Sequence, residues 1–251
     1  MHLFSIEGNI GSGKSTFIAN LKLKLKHIYG IPVIYVPEPV EEWESIQSTD
    51  GKNMIELFYS DPKQYAFAFQ MMAYISRLVY LKNEMKKYPN CILISERSIL
   101  ADYYVFARML FESDHISQEQ FEIYNRWFDE FLDEVIMTGI IYLKTDPTVC
   151  FERCTTRARK GENVISLEYL TKCSNMHDKW LSDDCIPILE LQNNTDEEIE
   201  EVEIFIKSEM SHYEPQPQDS FLFQMASLVC LAVIVCGYIV KVGYIVTRIT
   251  S

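Results

Sequence analysis

The chain is poor in the residues that mark fibrous or disordered proteins. Glycine and proline number nine each in 251 residues, with no internal repeat and no low-complexity block. With 48% hydrophobic and 24% charged residues, it is instead expected to fold as an ordinary globular protein. Paired cysteines are also missing. Cys91, Cys150, Cys154, Cys173, Cys185, Cys230 and Cys236 are odd in number and contain no CxxC, which excludes a disulfide framework and a zinc ribbon. Cys150 and Cys154 are four apart on a predicted helix without His or Cys neighbours, so they are expected to be buried reduced thiols. The five histidines form no cluster. Basic charge is scarce as well: 23 Lys and Arg against 36 Asp and Glu give −13, which excludes a nucleic-acid backbone or an anionic membrane as the main partner of the molecule as a whole. The first residues, MHLFSIE, hold neither a charged leader nor a cleavage site, so no signal peptide is expected and the bulk of the chain is expected in the cytosol.

Short β-branched runs at Leu3–Ile6, Pro32–Val36, Cys91–Ser95, Ile140–Leu143 and Ile186–Leu191 are separated by stretches of helical period. The helices are expected at about 14–29, 63–87, 98–113, 117–135, 147–159, 166–181 and 196–210. Start signals are legible at Asp61-Pro62, at Ser117 with Gln120, at Asp146-Pro147 and at Thr195 with Glu198. Strands alternating with helices predict an α/β fold with a five-stranded parallel sheet covered on both faces. The acidic run Asp196–Glu203 is expected to be the solvated face of the last helix.

The C-terminal region is a different kind of sequence. Residues 211–219 are polar and proline-containing and are expected to be a linker after a domain at 1–210. Ser220–Val240 then runs for 21 residues without a charge. As a helix it would span ~31 Å, the thickness of a bilayer core. A transmembrane helix at 220–240 is expected, with a short tail at 241–251. All 36 acids lie at or before Asp219 and only Lys241 and Arg248 of the basic residues lie beyond it, so residues 1–219 carry −15 and the remainder +2. Those two cations sit on the side a tail anchor would translocate, against the positive-inside tendency.

The strongest chemical signal is GNIGSGKS at 8–15, a GxxxxGK[ST] phosphate loop directly after a strand and opening a helix. Its glycines let backbone N–H groups wrap a polyphosphate; Lys14 neutralises phosphate oxygens and Ser15 can hold Mg²⁺. Gly8, Asn9, Ile10, Gly11, Ser12, Gly13, Lys14, Ser15 and Thr16 are therefore the candidate nucleotide-binding residues. The next strand ends in PEP at 37–39, where Glu38, rigidly placed between prolines, is the candidate base for a hydroxyl. A third strand ends in ERS at 96–98, offering Glu96 for Mg²⁺ and Arg97 for the acceptor. All three ends meet at one crevice in an open parallel sheet. The basic run Arg153, Arg157, Arg159 and Lys160 matches transferring phosphoryl oxygens, with the first two arginines on one helix face.

The series GNIGSGKST, PEPVEEW, LFYSDPKQYAFAFQ, ISR, ERS with Asp102, RCTTRARKGE and SLEYL resembles the deoxynucleoside kinase family, in its deoxycytidine and deoxyguanosine kinase branch, over about residues 1–210. The resemblance implies ATP-dependent phosphorylation of a deoxynucleoside 5′-hydroxyl in nucleotide salvage, with Mg²⁺, by a homodimer. It implies that Glu38 takes the hydroxyl proton and that Arg97 also contacts that oxygen. Lys14 with Arg153, Arg157 and Arg159 would hold the donor phosphates. Ser15 and Glu96 would serve the metal, and Tyr59 and Glu162 the 3′-hydroxyl. Gln70 would meet the base edge, Trp43 and Phe69 its faces, and Ala73 would leave room beside it. Arg77 and Asp102 would form a charged pair at the far end of the base pocket, in the space a thymine methyl needs, favouring deoxycytidine or a purine over thymidine. A nucleoside monophosphate kinase of thymidylate kinase type and a non-catalytic, membrane-tethered nucleotide-binding protein are the rival readings. Against the first, a monophosphate acceptor needs no base at Glu38; against the second, every catalytic position is filled.

Overall fold

A computed structural model describes residues 1–157, 164–182, 185–192 and 195–212. In chain order the elements are β1 (His2–Glu7), α1 (Lys14–Lys24), β2 (His27–Ile28), β3 (Ile31–Val36), α2 (Val40–Ser45), α3 (Met54–Ser60), α4 (Pro62–Lys87) and β4 (Ile92–Glu96). A continuous helical stretch follows, made of α5 (Ile99–Ala101), a π-helical turn (Asp102–Ala107) and α6 (Arg108–Glu112). Then come α7 (Gln118–Leu132), β5 (Gly139–Leu143), α8 (Pro147–Arg157), α9 (Leu167–Ser182), β6 (Ile188–Leu191) and α10 (Asp196–His212). The compact unit Met1–Met210 holds the sheet.

The sheet order is β2-β3-β4-β1-β5-β6, with every pair parallel except β2 and β3. The expected five parallel strands are present, but the sheet is six-stranded and mixed. Leu21, Leu25 and Ile28 keep helical spacing, which extends the predicted first helix to 29; the chain instead leaves the helix after Lys24. Tyr29 and Gly30 both take positive φ, 51° and 79°, and His27 and Ile28 pair with Pro32 and Ile31. Two central residues at positive φ are what a two-residue type I′ hairpin requires. The helices α2 and α3 were not expected from the hydrophobic period either. The second is marked by a capping box in which Glu56 N donates to Asn53 Oδ1 at 2.9 Å and Asn53 N donates to Glu56 Oε2 at 3.0 Å.

Alternation along the strands feeds two cores. Phe4, Ile6, Ile94 and Ile141 face α1 and α10, packing with Phe17, Leu21, Val202 and Ile206. Leu3, Leu93, Ile140 and Tyr142 face the other side, with Tyr74, Val105, Tyr124 and Cys173. With both faces covered the parallel strands are apolar almost throughout. The four predicted helix starts are formed, including the boxes at Ser117 with Gln120 and Thr195 with Glu198. That last box corrects the acidic run: Glu198 is buried, and Glu197, Glu200 and Glu201 are the solvated ones. The expected linker and span at 211–240 and the tail at 241–251 lie outside the described residues from 213 onward; among the described residues no helix is long and apolar enough to cross a membrane.

Candidate active site

The C-terminal ends of β1, β3 and β4 open on one cavity of about 440 Å³, extending from the phosphate loop to an aromatic end under α2, α3 and α4. Residues from the phosphate loop and from three strand ends converge there because parallel strands all end at the same edge. The loop itself is shaped by Gly8, Gly11 and Gly13 at φ 147°, 80° and 98°. At Gly11 a Cβ would stand 2.5 Å from the Cys150 carbonyl oxygen and 2.8 Å from Cys154 Sγ, so the loop lies directly on α8. Asn9 ties the loop to α9 by donating from Nδ2 to Leu170 O at 2.8 Å, while Ser12 O accepts from Arg153 Nη1 at 3.1 Å.

Lys14 Nζ folds onto its own loop, donating to Gly8 O at 3.0 Å and Asn9 O at 2.8 Å. Burial, then the positive charge of Arg97, lowers its ammonium to about 7. Ser15 Oγ donates to Glu96 Oε1 at 2.6 Å. A hydroxyl beside a carboxylate at a phosphate loop is the hard-oxygen pair that suits Mg²⁺, which takes one or two protein oxygens and fills its shell with phosphate and water.

Glu38, Arg77, Arg97 and Asp102 form one buried network. Glu38 Oε1 accepts from Arg77 Nη2 at 3.0 Å and lies 3.4 Å from Arg97 Nε. Burial alone would raise the Glu38 carboxyl, but Arg77, Arg97 and Lys14 outweigh it and hold it at about 2. Arg77 donates from Nε to Asp102 Oδ2 at 2.8 Å and from Nη1 to the Glu96 carbonyl at 2.9 Å. The expected Arg77–Asp102 pair is present. Arg77 nevertheless reaches further than the far end of a base pocket: its fork spans from Asp102 to the candidate base. Arg97 sits at φ 68°, a conformation costly for a residue with a Cβ. It is held there by its N–H to Ile6 O and its Nη1 to Gly8 O, both 3.0 Å, and by Phe106, whose ring centroid is 4.7 Å from the guanidinium carbon.

At the aromatic end Trp43 meets Phe69 edge-on at 5.8 Å and is fixed by Nε1 donating to Ser76 Oγ at 2.8 Å. Phe58 stacks on Phe69 at 4.7 Å, so one face of Phe69 is already covered by protein. Gln70 is 2% exposed and lines the cavity, and its Oε1 is buried without a hydrogen-bond partner. Buried acceptors are normally paired, so this one is available to accept from a donor that enters the cavity. Ala73, Tyr59, Thr16, Ile10, Arg153 and Arg157 also line the cavity. Arg159 and Glu162 lie in 158–163, outside the described residues.

Sequence reasoning missed Ile55, Phe58, Phe106 and Tyr169, all cavity-lining. Phe58 and Tyr169 lie in the quoted motifs LFYSDPKQYAFAFQ and SLEYL and Ile55 and Phe106 in none, and such side chains carry no chemical signature that separates a pocket wall from core. It also missed Glu7, the last residue of β1, fully buried with its carboxyl pushed up by burial against the pull of Arg97. The thiols Cys150 and Cys154, expected to be buried, are buried and in no disulfide, as are Cys91 and Cys173, whereas Cys185 is exposed. His177 is a core histidine, its ring Nδ1 2.7 Å from Cys173 O and its imidazole held neutral by burial.

Residues 4–213 match the family model described as deoxynucleoside kinase. The chain is 37% identical over 201 residues to the fowlpox virus protein named "Probable deoxycytidine kinase", covering 76% of this chain and 79% of that one. It is 35% identical over 196 residues to mitochondrial deoxyguanosine kinase of Xenopus laevis, with 71% and 72% covered, and 36% identical over 197 residues to human deoxycytidine kinase, with 70% and 74% covered. A phosphate loop joined by one buried charge network to an aromatic pocket with an unmatched amide, and these likenesses over most of the chain, place it among the kinases that phosphorylate deoxynucleosides: the chain belongs to the deoxynucleoside kinase family.

Proposed function

We propose that this kinase transfers the γ-phosphoryl group of ATP to the 5′-hydroxyl of deoxycytidine or a purine deoxynucleoside in preference to thymidine, as a nucleotide-salvage enzyme. The observation that carries the reading is Glu38, held between Arg77 and Arg97 in the cavity that the phosphate loop and Gln70 also line. A nucleoside with its base against Gln70, Trp43, Phe69 and Phe106 places its sugar beside Glu38, and the donor phosphates lie on the loop.

In that pose Glu38 accepts the hydroxyl proton, Arg97 orients the same oxygen, and the oxygen attacks phosphorus in line as the bond to the leaving ADP breaks. Lys14 and the loop N–H groups stabilise the charge on the transferring group. Ser15 and Glu96 would hold Mg²⁺, which neutralises β- and γ-phosphate oxygens when bound. Arg153, Arg157 and Arg159 act as a lid over the donor, and Tyr59 with Glu162 holds the 3′-hydroxyl. The Gln70 amide offers one donor and one acceptor to a base edge, and Arg77 with Asp102 occupies the space beside the ring.

The partner surface proposed for a homodimer is the face of α4 and α7, which are joined by Tyr74 Oη donating to Trp127 O at 3.0 Å and leave Val79, Ile123 and Trp127 about half exposed. We also keep the reading of 220–240 as a membrane anchor for a cytosolic kinase domain, supported by its 21 uncharged residues.

The test is transfer from ATP with Mg²⁺ to each of the four natural deoxynucleosides and to thymidine monophosphate. Turnover of deoxycytidine or a purine, with little on thymidine, is expected. Glu38→Gln should lower kcat by ~10²–10⁴-fold while nucleotide binding persists. Turnover of the monophosphate alone would favour the nucleoside monophosphate kinase reading.

A further inference from the structure

From Gly8 to Pro37 the chain contains no acidic residue, although it carries 36 in all. Apart from Lys14 in the loop, the basic residues of that stretch are gathered in one place. Lys22, Lys24, Lys26 and His27 run from the last turn of α1 into β2, and all four are exposed. Apolar side chains stand among them: Leu23 is 74% exposed and Tyr29 72%. Lys207 of α10, paired with Glu203, lies 5.6 Å from the centre of the Tyr29 ring. One turn before it on the same helix, Ile204 is 67% exposed. The end of α1, the β2–β3 turn and the C-terminal part of α10 therefore make one corner that mixes lysines with exposed apolar groups; its lysines come mainly from α1 and β2, and on the α10 side Glu200 and Glu201 are exposed beside Ile204. α1 begins at the phosphate loop and runs away from it, so this corner stands at the edge where the parallel strands begin, opposite the cavity.

We propose that this corner docks on an anionic lipid bilayer, with Lys22, Lys24 and Lys26 on headgroup charges and Leu23, Tyr29 and Ile204 at the interface. Lysines beside aromatic and aliphatic groups are the composition of interfacial surfaces, and each lysine near an anionic leaflet adds to the attraction. The chain as a whole carries −13, so a basic corner of this kind also favours one orientation on such a surface. The active-site cavity then opens away from the lipid, toward the aqueous phase that supplies both substrates. The choice of a bilayer over another anionic partner rests on the membrane attachment proposed above. Only residues 213–219 separate the end of α10 from Ser220, and seven residues reach at most ~25 Å.

The experiment measures partition of the full chain onto vesicles of phosphatidylcholine alone and of phosphatidylcholine mixed with phosphatidylserine, at low and high salt. Wild type should prefer the phosphatidylserine vesicles by about tenfold or more at low salt. The variant Lys22→Gln, Lys24→Gln, Lys26→Gln should lose that preference while keeping its kinase activity in solution and its partition onto phosphatidylcholine. A second variant, Lys241→Gln with Arg248→Gln, should keep the preference. Equal partition of wild type on both vesicles, or loss of the preference only in the second variant, overturns the proposal and leaves the anchor standing. Binding to phosphatidylserine vesicles alone supports the docking corner and removes the anchor, and binding to neither overturns both.

Discussion

At the scale of single residues, Glu38 decides how the site behaves. Held at about 2, its carboxyl is ionised throughout the neutral range and is too weak a base to remove a hydroxyl proton in advance. That suits phosphoryl transfer through a loose transition state, in which the proton leaves late and a carboxylate placed to receive it is enough. The depressed value is also a stability statement. A carboxyl whose folded value lies below its ordinary 4.5 contributes stability that is fully present above 4.5 and is lost as pH falls through about 2. Glu38→Gln should therefore flatten the acid unfolding curve in that window, by at most ~3 kcal/mol; an unchanged curve would mean that the arginines do not hold the carboxylate as described. Arg77 couples the two ends of the site. Asp102→Ala leaves its guanidinium buried with Glu38 as its one paired carboxylate and should destabilise the fold by ~3 kcal/mol in denaturant unfolding. Adding Arg77→Met should recover part of that loss and raise the ratio of kcat/KM for thymidine over deoxycytidine. A ratio that does not move would separate the pair from base selection.

At the scale of elements, the site depends on where loops touch helices. Gly11 combines φ 80° with a Cβ position occupied by the backbone of α8. Gly11→Ala must displace either the phosphate loop or the helix that carries Arg153 and Arg157, and the left-handed strain alone is ~1–2 kcal/mol. Nucleotide affinity should fall about tenfold or more, read by equilibrium binding of ATP. The π-helical turn works in the same way, since it inserts an extra residue per turn between Ser98 and Arg108 and brings both Asp102 and Phe106 to the cavity. At α3, which carries Phe58 and Tyr59, Asn53→Ala removes a cap and should cost ~1 kcal/mol of stability.

At the scale of the whole molecule, the sheet divides the work between its edges. The strand C-termini carry the chemistry, and the opposite edge carries the lysine corner. The exposed Val79, Ile123 and Trp127 of α4 and α7 are not among the residues that line the cavity. Ile123→Glu with Trp127→Glu should shift a dimer to monomer in sedimentation equilibrium while the charge network at Glu38 stays intact. A wild type that sediments as a monomer would remove the dimer reading.

The sequence alone determined the α/β class, the phosphate loop, the three strand ends that meet at it, and four helix starts. Each of these is a local signal, because a glycine pattern, a β-branched run or a capping pair acts over a few residues. The likeness to deoxynucleoside kinases was legible for the same reason, as a chain of short motifs in order. Tertiary structure alone decided that β2 extends the sheet as an antiparallel edge, since the helical spacing through Ile28 was outweighed by a turn at Tyr29 and Gly30. It decided that Arg77 bridges Asp102 to Glu38, that Phe58, Phe106 and Tyr169 line the cavity while packing with the core, and that Glu7 at the end of β1 is buried. Those facts depend on which side chains distant in sequence come within a few ångströms, and no spacing along one strand or helix encodes that distance.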